Sequence, residues 1–252
     1  MNIAVSQMAI SENLDHNTAK IIRSMEKACR LGVELICFPE MCLTGYSPEL
    51  LQADDLNRLV DGARQKIEQK CRQLNLAAII GHAYLKQGKL FNRATAILPD
   101  GDRYFYDKMF LTEQEEEYFK AGSNSLLFTF KEVKCGVIIC RDQNYPLLAK
   151  ELKEKGADVM FILSAHYYSP KEARWKLEKN RAIPITRAVE NKIYVFMANT
   201  VSTHLGMISL GNSLIADPDG AVISSADEAQ EVIISFDIDY RLEEQISTWH
   251  KG

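Results

Sequence analysis

Three apolar runs in this chain each end on a residue able to do covalent or acid–base chemistry. "VELICFPE" delivers Glu40, "RYFYDK" delivers Lys108 and "CGVIIC" delivers Cys140. A thiol of unperturbed pKa about 8.5 is mostly protonated at neutral pH, so it attacks a carbonyl carbon efficiently only beside a base or a positive charge. Glu40 can take that proton. Attack builds a tetrahedral oxyanion, which the Lys108 ammonium and the backbone N–H of Arg141, the residue after the thiol, can meet. Removing one such donor typically costs about 3 to 4 kcal/mol of barrier. The proton then passes to the leaving nitrogen, and water attacks the thioester under control of the same carboxylate. One carboxylate, one amine and one thiol make an acyl-transfer site if the fold brings them together, with no metal required.

Each residue also has a bland reading. A buried cysteine usually behaves as a small hydrophobe, and Cys29, Cys37, Cys71 and Cys135 are assigned to packing. Glu40 could be a helix N-terminal acid and Lys108 a solvated cation. Cys140 stands apart because charged Arg141 and Asp142 follow it directly.

Ligands of open α/β sheets gather beyond the carboxyl ends of the strands, so the elements that carry these residues matter. Short strand-like runs alternate with amphipathic segments, the signature of an α/β architecture. Strands are expected at 3–7, 33–38, 76–82, 126–130, 133–140, 157–163 and 193–199. Helices are expected at 15–31, 56–74, from Pro146 onward and at 171–191. "FNRATAILPDGDRYFYDK" (91–108) reads as a β-hairpin around Pro-Asp-Gly. Short strands near "NSLIADPDGAVIS" and "EVIISFDID" end the pattern. "RLGVELICF" and "EKGADVMFI" echo each other as helix end, glycine cap, carboxylate and apolar strand, which suits two similar sheets packed face to face.

Composition narrows the partners. With 252 residues, 46% of them hydrophobic, the chain can bury a sizeable core, and a single domain over 1–252 is expected. A net charge of -4 with interspersed signs offers no basic stripe, which speaks against nucleic acid. "MNIAVSQMAI" lacks the layout of a signal peptide and no apolar run approaches the roughly 20 residues of a membrane span. A soluble cytoplasmic protein is expected, with no membrane partner. The six cysteines fit no zinc-ligand spacing, so reduced thiols and no structural metal are expected.

The three motifs, in this order, resemble those of the nitrilase superfamily of carbon-nitrogen hydrolases. "LICFPEMCLTGY" is similar to its Glu motif, "YDKMFL" to its Lys motif and "GVIICRDQNYP" to its Cys motif. "IAVSQM", "TRAVENKIYVFMAN" and "GNSLIADPDG" extend the resemblance across nearly the whole chain. It implies an α/β fold, a four-layer αββα sandwich of two mixed sheets with outer helices. It implies a homodimer or higher homo-oligomer paired through helices, and no cofactor. It implies Glu40 as general base, Lys108 as oxyanion stabiliser and Cys140 as nucleophile. A further family glutamate in the loop after the Lys motif falls on Glu115, with Glu116 and Glu117 beside it.

There are departures. Phe110 stands where the family often has His or Asn, and Arg141 where an aromatic or acidic residue is usual. True nitrilases usually carry Trp-Glu after the nucleophile, so "CRD" points to a small linear amide or carbamoyl compound rather than a nitrile. "SAHYYSP" (164–170) should line the pocket mouth. His166 is a candidate substrate contact, a helix cap or a core histidine. Tyr46 and Tyr167 are pocket candidates. Arg141 could hold a substrate carboxylate or anchor the local turn through Asp142. Competing readings are an acyltransferase on the same acyl-enzyme, a noncatalytic interaction module, and an unrelated Cys-His hydrolase with His166 or His204 as base.

Overall fold

The computed structural model describes residues 1–238. The first half runs β1 (Asn2–Gln7), α1 (Leu14–Arg30), β2 (Leu35–Cys37), α2 (Pro48–Leu51), α3 (Leu56–Leu74), β3 (Ala77–Lys86), β4 (Lys89–Ile97), β5 (Arg103–Asp107) and α4 (Glu113–Glu116). The second runs β6 (Leu126–Phe130), β7 (Val133–Ile139), α5 (Pro146–Glu154), β8 (Val159–Leu163), α6 (Pro170–Asn191) and β9 (Tyr194–Ala198). It closes with β10 (Val201–His204), β11 (Met207–Leu210), β12 (Leu214–Ala216), β13 (Val222–Ser225) and β14 (Val232–Asp237).

Two six-stranded mixed sheets form, in the orders β14-β1-β2-β3-β4-β5 and β13-β12-β9-β8-β7-β6. Read from β14 and from β6, the two share one sequence of pairings: antiparallel, parallel, parallel, antiparallel, antiparallel. The two echoing segments hold equivalent third places, β2 and β8. Even their carboxylates match, since Glu34 accepts from the Asn2 N–H at the start of β1 and Asp158 from the Lys134 N–H on β7.

Period-2 alternation explains the layers. Ile3, Val5, Leu35 and Ile79 point to the inner core, where they meet Val137, Ile139, Phe161 and Phe196 of the other sheet. The opposite faces bury Ile36, Ala78 and Ile80 under Ile21, Met25, Val60 and Ile67 of α1 and α3, and Met160, Ile162 and Val195 under Leu148, Leu152 and Ala188 of α5 and α6. The result is the αββα sandwich. Each fully buried side chain of this size contributes about 1.5–3 kcal/mol of transfer free energy. No helix among the described residues is long and apolar enough to cross a membrane.

One expectation needs correction, and one element was missed. The strand expected at 33–38 covers only Leu35–Cys37. Val33 N–H is spent closing α1 on Ala28 O, and Pro39 has no N–H to continue the ladder. The hairpin β10–β11 was not legible, because its turn is Leu205-Gly206 at φ 47° and 75° rather than the Asn-Gly pair such turns favour.

Candidate active site

Glu40, Lys108 and Cys140 follow β2, β5 and β7, and all three line one cavity of about 760 Å³. Each is placed by a local device. Glu40 sits in a turn pressed against β3 where Gly81 is obligatory: a Cβ there would lie 2.5 Å from Met41 N and 2.9 Å from Glu40 Cα. Lys108 leaves β5 with its backbone N–H on Asn92 O and its carbonyl taken by Gly122 N–H. Cys140 stands at φ 44°, a left-handed conformation that costs a non-glycine residue of order 1–3 kcal/mol and is held by its surroundings.

The pin for that elbow is Asp142. Its buried carboxylate accepts from Tyr106 Oη at 2.7 Å, Phe110 N at 2.8 Å and Ile139 N at 3.0 Å, tying the 3₁₀ turn Cys140–Asn144 to both sheets. Arg141 does not anchor the turn through Asp142: the carboxylate takes its donors from Tyr106, Phe110 and Ile139, and no hydrogen bond or ion pair joins it to Arg141 among the described residues. Phe110, the departure from the family pattern, stacks on Tyr145 with ring centroids 3.5 Å apart.

The polar floor of the cavity is one network. Lys108 Nζ donates to Glu40 Oε1 and Glu115 Oε1, each at 2.7 Å. Asn92 Nδ2 donates to the same two oxygens, at 2.7 and 3.3 Å. Flipping the amide would set its oxygen against two carboxylates, so its orientation is fixed. Glu115 is aimed by a capping box: its N–H donates to Thr112 Oγ1 and its Oε2 accepts from Thr112 N. Glu116 and Glu117 are exposed and outside the cavity lining.

Burial pushes the Glu40 carboxyl above the ordinary carboxylate range, with the Glu115 charge adding to it and Lys108 and Asn92 offsetting part. Burial alone would lower the Lys108 ammonium, but the negative charges of Glu40, Cys140 and Glu115 hold it far above its usual value. The Cys140 thiol is raised, first by burial and then by Glu40, against the pull of Lys108 and a hydrogen bond from the Ala165 backbone. A protonated thiol therefore rests beside a carboxylate of raised proton affinity and a permanent cation. That arrangement can deprotonate sulfur as it attacks and stabilise an oxyanion as it forms.

Tyr46, Arg141, His166 and Tyr167 also line the cavity. His166 is buried, its ring Nε2 3.3 Å from Gln143 Nε2 and its backbone N–H donating to Asn199 Oδ1. Burial, Lys108 and Lys179 push its pKa down to about 3. His204 accepts from Tyr46 N through Nε2. Among the described residues neither histidine hydrogen-bonds Cys140, which leaves the Cys-His reading without a geometric basis. Sequence reasoning missed Asn92 and Tyr106 altogether and gave Asp142 no role beyond Arg141. The run "FNRATAIL" carries three polar residues, Asn92, Arg93 and Thr95, so nothing in the sequence singled out Asn92.

The family model described as carbon-nitrogen hydrolase matches residues 2–247. The chain is 31% identical to a nitrilase of Pyrococcus abyssi, over 90% of this chain and 85% of that one. It is 26% identical to an (R)-stereoselective amidase of Pseudomonas sp, over 92% and 84%. Among solved structures, an amidase from Nesterenkonia sp. AN1, with acrylamide added at its active-site cysteine, superposes with TM-score 0.84 over 99% of each chain at 20% identity, a likeness of fold. This chain belongs to the carbon-nitrogen hydrolase family, within the nitrilase superfamily. It is an amidase-like enzyme acting on non-peptide carbon–nitrogen bonds.

Proposed function

We propose that the protein hydrolyses a small linear amide or carbamoyl compound through a thioester on Cys140. The Sγ–H proton passes to Glu40 as the C–S bond forms. The carbonyl electron pair moves onto oxygen, where the Lys108 ammonium and the Arg141 N–H receive it. Collapse breaks the C–N bond, Glu40 returns the proton to nitrogen, and ammonia or an amine departs. Water, deprotonated by Glu40, then attacks the thioester, and the thiol is re-formed.

The observation that carries this reading is the buried Lys108 ammonium clamped between Glu40 and Glu115 at the floor of the cavity that Cys140 enters. Glu115 holds Lys108 in place, and Tyr46, His166 and Tyr167 shape the substrate pocket. One domain over 1–252 carries the site, and the protein pairs as a homodimer through its outer helices. Support for that pairing comes from exposed Leu147 on α5 and Trp175 on α6, 77% and 69% exposed. Cys140→Ala should lower ammonia release from a panel of short amides at least about a thousandfold with the fold intact by circular dichroism. Native-rate release by that variant would overturn the assignment.

A further inference from the structure

Helix α1 sorts its charges by face. Its acids turn to α3, where Asp15 meets Lys66 at 3.4 Å and Glu26 meets Lys70 at 2.9 Å. Lys20, Arg23 and Lys27, spaced along one helical stripe, line a groove of about 180 Å³ between α1 and the paired strands β1 and β14. This groove shares no lining residue with the catalytic cavity. Its one acid, Glu231, accepts from the Ala9 N–H at 2.6 Å and pairs with Lys20, whose Nζ also donates to Ala9 O at 2.7 Å. Arg23 and Lys27 make no hydrogen bond or ion pair among the described residues. They are a like-charge pair at i,i+4, which destabilises a helix unless a counter-charge offsets it. The floor carries a second observation. Alternation along β1 sends Ile3 and Val5 to the inner core and Ser6 to the α1 side, in register with Ile233 of β14. Ser6 is 2% exposed and lines the groove, yet its hydroxyl makes no hydrogen bond among the described residues, where buried polar groups normally have a partner. Ser24, half-buried on α1, presents another hydroxyl to the same space.

We propose that this groove is a second ligand site, separate from the catalytic cavity, that binds a phosphate group, free or carried by a small metabolite. A phosphate monoester brings close to two negative charges and three acceptor oxygens. Those match two unpaired cations and two hydroxyls better than a single carboxylate does. The Arg23 fork can take two oxygens and Lys27 supplies a point charge. Met8, Val232 and Ile233 give the carbon part of an ester an apolar wall. A cleft lined mainly by one sign of charge concentrates such an anion even on a chain of net charge -4.

Calorimetry tests this with inorganic phosphate and glycerol 3-phosphate titrated into the whole protein at about pH 7.5, ionic strength held with sodium chloride and glycerol as the uncharged control. One site with Kd below about 1 mM is expected. Arg23→Gln with Lys27→Gln should weaken Kd about tenfold or more, Lys27→Glu alone at least as much, and Ser6→Ala about threefold. The Arg23→Gln/Lys27→Gln protein should keep its turnover of butyramide in phosphate-free buffer, which shows that it is folded. Tighter binding of the ester assigns the site to a phosphorylated metabolite and equal binding to the free ion, and either upholds it. No heat up to about 20 mM ligand, or wild-type affinity in the doubly substituted protein, would overturn the inference, the latter placing the anion in the catalytic cavity. Neither result touches the hydrolase reading.

Discussion

Tyr106→Phe removes one oxygen from the inner core and with it one of three donors to the buried Asp142 carboxylate, the 2.7 Å bond from Tyr106 Oη. A hydrogen bond to a charged group contributes about 1.5–3 kcal/mol, and Ile139 N and Phe110 N remain in place, so a loss of about 2 kcal/mol is expected at pH 7.5. The loss should depend on pH. Burial holds the Asp142 carboxyl above its ordinary range, and Tyr106 offsets part of that rise. Deleting the donor lifts the folded-state value further while the unfolded value stays near about 3.9. The deficit is then complete above the variant's folded pKa and shrinks as pH falls through it towards that of the wild type. Urea unfolding midpoints at pH 7.5 and 5, with m-values compared, read both numbers. Because Asp142 pins the elbow that carries Cys140, kcat should fall about tenfold to a hundredfold with KM little changed. A variant within about 0.5 kcal/mol of wild type at pH 7.5, with unchanged kcat, would refute this account of the elbow.

Asn92→Asp places a third carboxylate where the amide now donates at 2.7 Å to Glu40, so the cluster should hold an extra proton and the acid limb of the rate profile should move to higher pH. Asn92→Ala should slow turnover with a smaller shift; identical profiles for the two variants would count against a charge effect. His166, held down to about 3, takes no proton in the folded state at pH 5–6.5 while the unfolded chain does. Stability should therefore drop on its account as pH falls through about 6.5, with a slope approaching about 1.4 kcal/mol per unit near pH 5, and His166→Gln should flatten that slope in urea titrations by up to one proton. An unchanged slope would show that His166 is not held neutral.

The layers were legible because their cause is local. Unbroken apolar runs such as "VMFIL" announce strands buried on both faces, and α1, α3 and α5 carry matching apolar stripes, whereas α6 buries Arg187 and Asn191 beside Ala173 and Ala188. Glu40, Lys108 and Cys140 were legible because each ends such a run. What joins them was not. Asn92 and Tyr106 lie inside strands, where a side chain's partner depends on register and on the second sheet, and neither is written in the neighbouring residues. The choice among three adjacent glutamates could have been made: Thr112 with Glu115 three residues on is a capping-box pattern, and it turns Glu115 inward while Glu116 and Glu117 face water. Arg141 shows the limit in the other direction, since proximity in sequence suggested Asp142 as its partner, whereas that carboxylate takes its donors from Tyr106, Phe110 and Ile139.

The central claim is a covalent one, and intact-protein mass spectrometry reads it directly. Acid-quenching the enzyme during turnover of succinamate or butyramide should show a fraction heavier by the acyl group, mapped to the peptide holding Cys140, discharged by hydroxylamine and absent from Cys140→Ala. Turnover at the native rate with no adduct at Cys140, or with the adduct on another of the six cysteines, would contradict the mechanism.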